Sequence, residues 1–321
     1  MNIDNYRADF LSFMSQNLGK REPENLYDPI DYIMSLGGKR MRPILVLIGC
    51  DLFDVDTSEA MEAALSVEMF HNFTLIHDDI MDKADLRRGK LTVHKKWDLN
   101  TGILSGDALM IQSNQRLEYY EGDTFKSLIS LYNKTALEVC EGQQLDIDFE
   151  SLLEVPLTDY IKMISYKTAV LVGASLKMGA IVAGASIEDQ NILYDFGLNL
   201  GVAFQLQDDY LDTYGSDDFG KRIGGDIVES KKTFLYIMAL ELGDSNDKLA
   251  LLDLYANEKD EEKKIKQVKA IFSRSGAVGL LQKEIEKYTM KALQDINSLS
   301  LDDSRKIVLH DFAVNLMTRK T

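Results

Sequence analysis

The chain has 321 residues, 45% of them apolar and 27% charged, which is the balance of a globular protein with enough apolar material for a sizeable core. The formal net charge of -16 at pH 7 argues against nucleic acid or an anionic membrane as a partner, but it allows an anionic substrate where basic residues cluster. Two cysteines make no disulfide framework and suit a reducing compartment, so we expect a cytoplasmic protein.

Signals for β-structure are nearly absent. The sequence has no Asn-Gly or Asp-Gly hairpin turn and no sustained alternation of apolar and polar residues. Apolar residues instead recur at helical spacing, and no linker rich in Pro, Gly or Ser divides the chain. The sequence therefore predicts an all-α protein in which residues 1–321 form a single domain.

The first distinctive motif in chain order is basic. Residues 37–43 read Gly-Gly-Lys-Arg-Met-Arg-Pro, with three cations within four residues after two flexible glycines. An Arg guanidinium offers a fork of donors that matches phosphate oxygens, and Lys supplies a point charge. This segment is a candidate site for an anionic group.

A helix is predicted to begin near Asp56, which has capping-box spacing to Glu59, and to end near Asp82. One stripe of this helix is apolar and comprises Met69, Phe73, Ile76 and Ile80. A different stripe is polar and comprises His71, Thr74, Asp78 and Asp82. The polar stripe must face water or a ligand.

Three carboxylates, those of Asp78, Asp79 and Asp82, close this helix. Two of them lie one turn apart, where like charges repel, and the C-terminal end of the helix dipole is negative as well. A bound cation offsets both effects, and Mg²⁺ is commonly held by one or two carboxylates together with substrate phosphates. Arg87 and Arg88 follow within a few residues, which favours a site where a metal and cations bind phosphate together.

Lys167 and Thr168 precede a Gly- and Ala-rich stretch from Ala169 to Ser186, the nearest approach to a membrane span. Lys177 in its middle and its many small residues favour a closely packed internal helix instead. The N-terminus also lacks the apolar core of a signal peptide, and we expect no stable membrane insertion.

A second helix with an acidic end is predicted from about Asn191 to Asp212. One of its faces carries Gly197, Gly201, Gln205, Asp208 and Asp212. Two interpretations of the glycines stay open: they line a groove, or they only let a neighbouring helix pack closely. Together with Asp209, the aspartates repeat the spacing of the first acidic motif, and the pairs Lys221-Arg222 and Lys231-Lys232 follow.

Together these motifs resemble, in order from Gly37 to about Lys232, those of the trans-type isoprenyl diphosphate synthases (the polyprenyl synthetase family). The resemblance implies an antiparallel helical bundle around a deep central cavity, the isoprenoid synthase fold, usually as a homodimer. It also implies an Mg²⁺-dependent prenyltransferase that condenses isopentenyl diphosphate with an allylic diphosphate, head to tail (1′-4).

The resemblance assigns a role to each motif. Three Mg²⁺ ions would be held by Asp78, Asp79 and Asp82 on one wall and by Asp208, Asp209 and Asp212 opposite. The isopentenyl diphosphate would be bound by Lys39, Arg42, His71 and Arg88. The allylic diphosphate would contact Arg87, Lys167, Thr168, Gln205, Lys221 and Lys231. The residues expected to be essential for catalysis are Asp78, Asp82, Asp208, Lys167 and Arg87.

Product length is the least determined property. In this family a bulky residue shortly before the first acidic motif acts as the floor of the product tunnel, and Phe73 and Thr74 occupy the fifth and fourth positions upstream of Asp78. That combination predicts C20 geranylgeranyl diphosphate, with C15 farnesyl diphosphate as the alternative. Two other classes share part of the pattern: a class I terpene cyclase, which normally has a different second cluster, and a catalytically silent helical partner subunit, which tends to lose an acidic cluster.

Overall fold

The computed structural model of the chain describes residues 3–215 and 223–317, and these residues are overwhelmingly helical. The all-α prediction is confirmed. In chain order the helices are Ile3–Gln16 (α1), Glu24–Ser35 (α2), Met41–Asp51 (α3), Met61–Met81 (α4), Val93–Lys96 (α5), Leu99–Gln115 (α6), Gly122–Glu150 (α7), Leu157–Ile164 (α8), Val170–Val182 (α9), Ile187–Tyr214 (α10), Gly225–Val228 (α11), Phe234–Leu242 (α12), Ser245–Asn257 (α13), Glu261–Ser275 (α14), Ala277–Asn297 (α15) and Asp303–Met317 (α16).

Five shorter elements complete the description. Thr57–Ala60 and Arg116–Tyr119 are 3₁₀ turns, and Ser165–Ala169 is a π-helical turn that joins α8 to α9. Strands Leu86–Arg87 (β1) and Lys90–Leu91 (β2) form a small antiparallel hairpin. The sequence did not predict this hairpin, because its turn consists of Arg88 and Gly89, both at positive φ, where Asn or Asp usually precedes the glycine.

Two helix starts differ from the prediction. Asp56 does not begin α4; its carboxylate accepts a hydrogen bond from the Ser58 N–H at 2.9 Å and caps the 3₁₀ turn before it. Helix α10 begins at Ile187, four residues earlier than Asn191. The Ser186 hydroxyl accepts from the Asp189 N–H at 3.0 Å, so Ser186 caps α10 at a start that the apolar periodicity alone did not mark.

The chain divides into two compact units, Met1–Asn133 with Ala174–Leu193 and Lys134–Gly173 with Tyr194–Thr321. The boundaries fall inside α7, α9 and α10. The prediction of a single domain stays a prediction.

In the first unit, α4 packs against α6 and α3, and α3 also meets α9 at close range. A Cβ atom on Gly179 of α9 would lie 2.0 Å from the Val46 carbonyl oxygen, and one on Gly49 of α3 would lie 2.3 Å from the Leu176 oxygen. Only glycine allows this approach of two backbones. The Gly- and Ala-rich stretch is therefore an internal helix, as predicted, and no helix among residues 3–215 and 223–317 is long and apolar enough to cross a membrane.

In the second unit, the core is built from α12, α14 and α15, with Leu235, Ala239, Phe272 and Leu281 fully buried. Here α10 lies directly against the π-helical turn and α9. A Cβ atom on Gly197 would lie 2.7 Å from Gly173 Cα, and one on Gly201 would lie 2.7 Å from Ala169 Cα. Of the two interpretations of these glycines, close helix packing is the one that the structure supports.

Candidate active site

The first acidic motif occupies the end of α4 and the residue after it. Asp78 is partly buried, Asp79 is 1% exposed, and Asp82 lies just past the helix and is exposed. The Arg87 guanidinium donates to both carboxylate oxygens of Asp79 at 2.8–3.0 Å. This two-pronged ion pair joins a predicted metal ligand to a predicted diphosphate ligand, and the hairpin β1–β2 carries the arginine to it.

A basic cluster lies around His71 in the same unit. Arg42 Nη1 is 3.1 Å from His71 Nε2, and because Arg has only donors, this ring nitrogen accepts the hydrogen bond. Burial, reinforced by the nearby arginines Arg42, Arg88, Arg87 and Arg40, lowers the pKa of His71 well below its usual value. His71 is therefore neutral at physiological pH.

Two further predicted ligands flank this cluster. Arg88 donates to the Gly37 carbonyl oxygen, and its guanidinium lies over Gly38. A Cβ atom on Gly38 would approach Arg88 Nη1 to 2.6 Å, and its φ of 117° also disfavours any other residue. Lys39, beside Gly38, is exposed. The structure thus groups Arg42, His71 and Arg88, and it explains why glycine stands at position 38.

A separate cavity of about 100 Å³ lies within the second unit. Five residues that the sequence predicted line it: Lys167, Thr168, Gln205, Asp209 and Lys231. Five more polar residues line it as well: Asp146, Tyr160, Asp226, Lys232 and Thr233.

The π-helical turn presents Lys167 and Thr168 to this cavity. Lys167 Nζ donates to Asp146 Oδ2 at 2.5 Å, and the Thr168 hydroxyl donates to Gln205 Oε1 at 3.3 Å. Helix α7 passes close by, since a Cβ atom on Gly142 would lie 2.2 Å from the Lys167 backbone nitrogen. An inserted turn of this kind re-aims side chains within a helix and is frequent at functional sites.

Asp209 is the buried carboxylate of the cavity. It accepts hydrogen bonds from the Tyr160 hydroxyl and from Gln205 Nε2, the latter at 3.3 Å. Burial and then the nearby Asp226 raise the pKa of Asp209 to about 8. Burial alone would lower the pKa of Lys231, but the carboxylates of Asp226 and Glu229 outweigh it and raise that pKa. The carboxylates therefore favour the charged form of Lys231 and disfavour further uncompensated negative charge on one another.

The remaining aspartates of the second motif lie in the last two turns of α10. Asp208 is partly buried and Asp212 is buried. Asp212 Oδ1 accepts from the Asp226 N–H at 3.1 Å, and its carbonyl oxygen accepts from the Gly224 N–H at 2.7 Å. Lys221 lies outside the described residues. Within the described part of the chain, no group of three or more His, Cys, Asp or Glu side chains is arranged to hold a metal ion.

A family model for polyprenyl synthetases matches residues 23–272. The chain belongs to the polyprenyl synthetase family. It is 33% identical to a geranylgeranyl pyrophosphate synthase of Geoglobus acetivorans, over 91% of this chain and 90% of that protein. It is 39% identical to a geranylfarnesyl diphosphate synthase of Natronomonas pharaonis, over 72% and 73% of the two chains. A crystal structure of a geranylgeranyl pyrophosphate synthase is 46% identical, with a TM-score of 0.96 and 100% of both chains covered.

This polyprenyl synthetase is thus an enzyme that transfers prenyl groups and uses isoprenoid diphosphates. Four polar residues of its cavity were missed by sequence reasoning: Asp146, Tyr160, Asp226 and Thr233. Asp146 lies one helical turn after Gly142, so the sequence places a glycine and a carboxylate on one face of a helix, and that spacing is the signal that could have found it. The sequence around Tyr160, Asp226 and Thr233 has no comparable pattern that would place them at a site.

The predicted chain-length residues differ in their surroundings. Phe73 is buried, and its ring packs against those of Phe70 and His77 at centroid distances of 5.5 and 4.9 Å. The Thr74 hydroxyl donates to the His71 carbonyl oxygen of its own helix at 2.7 Å. Phe73 is therefore held firmly by neighbouring rings, whereas Thr74 is small and bonded to its own backbone.

Proposed function

We propose that this polyprenyl synthetase condenses isopentenyl diphosphate with an allylic diphosphate, head to tail, and that its main product is C20 geranylgeranyl diphosphate. The main support for this proposal is the set of side chains that line the cavity in the second unit. It gathers three amines, those of Lys167, Lys231 and Lys232, with the polar side chains of Thr168 and Gln205 around a volume of about 100 Å³, beside carboxylates that could share a bound Mg²⁺ with the substrate. Such a set of donors suits an allylic diphosphate.

We also propose that the two acidic motifs bind Mg²⁺, as three ions in all. The donor set fits, since carboxylate oxygens are the ligands that Mg²⁺ prefers, with water and substrate phosphates completing its shell. All six aspartates would take part, and two of them have further partners: Asp79 is bonded to Arg87, and Asp209 is bonded to Tyr160 and Gln205. When bound, Mg²⁺ would neutralise charge on the diphosphate leaving group.

The chain's own residues act on the same leaving group. The C1–O bond of the allylic substrate breaks, and the ammonium groups of Lys167 and Lys231 stabilise the departing diphosphate. The double bond of isopentenyl diphosphate then attacks the allylic cation, a bond forms between C1 and C4, and a proton leaves C2. His71 is a poor acceptor for this proton because its pKa is lowered, which supports the released diphosphate as the base.

The second substrate is proposed to bind in the first unit. Lys39, Arg42 and Arg88 supply cations for the diphosphate of isopentenyl diphosphate, and neutral His71 holds Arg42 in place. Arg87, paired with Asp79, and Lys221 remain proposed contacts of the allylic diphosphate.

For product length, the support comes from the geranylgeranyl diphosphate synthases among the similar proteins and from the buried Phe73. A C15 farnesyl product is the alternative.

We further propose that the protein works as a cytoplasmic homodimer with residues 1–321 as one domain. Four large apolar side chains on α6 support self-association, because they are exposed on the isolated chain: Leu99, Ile103, Leu104 and Ile111.

The deciding experiment is incubation of the purified protein with Mg²⁺, isopentenyl diphosphate and radiolabelled allylic diphosphates, followed by dephosphorylation and chromatography of the products. Elongation to C20 is expected, and it should stop when Mg²⁺ is chelated. Cyclised products would instead indicate a terpene cyclase, and the absence of any turnover would indicate a silent partner subunit. Light scattering of the same preparation tests the homodimer.

A further inference from the structure

One of the three cationic side chains in the segment 37–43, that of Arg40, is buried in the protein interior. The Arg40 side chain is 2% exposed, although its neighbour Lys39 is exposed and Arg42 is partly so. Arg40 Nη1 donates to Glu68 Oε1, and its Nη2 donates to the Met34 carbonyl oxygen. A buried guanidinium with these partners has no free face for a solvent-borne substrate.

The acceptor of this arginine belongs to a small buried network on α4. The Glu68 side chain is 3% exposed, and its Oε1 also accepts from Asn72 Nδ2 at 3.0 Å. Asn72 Nδ2 is in addition 2.8 Å from the Glu68 carbonyl oxygen, which fixes its amide. His71 lies in the same helical turn, between Glu68 and Asn72.

The backbone at Arg40 is held in an unfavourable conformation. Its φ of 49° and ψ of 38° are left-handed, and a non-glycine residue there costs about 1 kcal/mol or more unless its surroundings impose the conformation. Here the contacts with Glu68 and Met34 impose it. The same left-handed residue precedes α3 directly, so Lys39 lies before the helix and Arg42 lies in its first turn.

We propose that Arg40 is a positioning residue whose buried pairing with Glu68 holds residues 37–42 against the helical turn that carries His71. The pair thereby keeps Arg42 in contact with His71 and Lys39 exposed for the diphosphate of isopentenyl diphosphate. This inference rests on the proposed function of that cluster. It assigns Arg40 no contact with substrate.

Energetics favour positioning over stability as the reason for this pair. Buried ion pairs replaced by apolar residues of similar volume are often as stable as the original or more so, whereas removal of one partner alone is strongly destabilising. A chain that needed only a packed core would not require Arg and Glu at these positions. A displacement of about 1 Å in a binding group can lower activity by about a hundredfold.

The test is the double variant Arg40→Met/Glu68→Met, which removes both charges and keeps unbranched side chains of similar length. Its apparent melting temperature should equal or exceed that of the wild type. Its KM for isopentenyl diphosphate should rise by about tenfold or more, while its KM for the allylic diphosphate changes less than about twofold. A control, Arg274→Met/Asp247→Met, removes an ion pair of the second unit and should alter neither KM.

Glu68→Gln provides a rescue variant. Arg40 and Asn72 both donate to the same oxygen of Glu68, so an amide oxygen at that position keeps both hydrogen bonds. Its melting temperature should fall, because Arg40 loses its counter-charge, but its KM for isopentenyl diphosphate should stay within about threefold of the wild type. If the double variant does not fold, Arg40→Lys takes its place, because Lys keeps the charge but loses the two-pronged contact; a selective rise in the same KM is again expected.

Three outcomes overturn the inference: a stable double variant with an unchanged KM for isopentenyl diphosphate, an equal rise in both KM values, or an unchanged Arg40→Lys variant where the double variant is unfolded. Failure of the proposed function is distinguishable, because then the wild type itself would elongate no allylic diphosphate.

Discussion

Replacing Gly201 by Ala tests the close contact between α10 and the π-helical turn, two elements whose residues line the cavity of the second unit. A Cβ atom at this position would lie 2.7 Å from Ala169 Cα and 2.8 Å from Ala169 Cβ. Non-bonded carbon atoms prefer separations of about 3.5–4.0 Å, so α10 and the π-helical turn would have to separate by roughly 0.8 Å.

The expected loss of stability follows from two opposing effects. Overpacking in a well-packed core typically costs about 1–3 kcal/mol, and Ala gains about 1 kcal/mol over Gly in a helix interior. The atoms that the new methyl group meets are backbone and a short side chain, which cannot rotate away. The cost of overpacking should therefore lie in the upper half of its range, and the expected net loss in the free energy of unfolding is about 1–2 kcal/mol.

A matched control is available in α15. A Cβ atom on Gly279 would meet no atom within 4 Å, and its φ is not in the left-handed region. Gly279→Ala should therefore raise stability by about 0.5–1 kcal/mol. The same substitution in two helices is thus expected to change stability in opposite directions.

The separation of α10 from the π-helical turn should also impair binding of the allylic diphosphate. Gln205 lies one turn after Gly201, and Thr168 precedes Ala169, so a separation of the two elements lengthens the 3.3 Å bond between Thr168 and Gln205. The KM for the allylic diphosphate should rise more than that for isopentenyl diphosphate. Urea denaturation and steady-state kinetics of both variants measure the two effects. If Gly201→Ala proves as stable as Gly279→Ala and keeps the wild-type KM, the packing argument is wrong.

Three further outcomes are expected. Asp208→Ala should reduce turnover by about two orders of magnitude with the melting temperature unchanged or slightly higher, because it removes a repelling charge; a marked loss of stability in metal-free buffer would contradict its role. Phe73→Ala should lengthen the product by at least one isoprene unit in chromatography, and an unchanged product would mean that another residue forms the barrier. The folded-state pKa of His71 lies below the unfolded value near 6.5, so the unfolded chain binds more protons and stability falls as the pH drops below about 6.5. Between about pH 7.5 and about pH 5.5, the melting temperature of His71→Gln should therefore fall less than that of the wild type. Equal losses would refute the assignment.

The sequence alone determined the helical class and the chemistry of the motifs. Helical periodicity depends on residues three and four positions apart, and therefore it located α4 and α10 to within a few residues. Clusters of aspartate and of basic residues are likewise local, and their order sufficed to indicate the family. Of the predicted ligands, Lys167, Thr168, Gln205, Asp209 and Lys231 do line one cavity.

Only the tertiary structure decided what each of these groups contacts. It paired Asp79 with Arg87, placed Tyr160 on Asp209, buried Arg40 against Glu68, and showed that the glycines of α10 serve packing. In each case the partner comes from a different element of the same unit, and the loss of solvent around the pair depends on that packing. Composition and periodicity describe one segment at a time, so they cannot specify which charges share a buried environment or how far their pKa values shift.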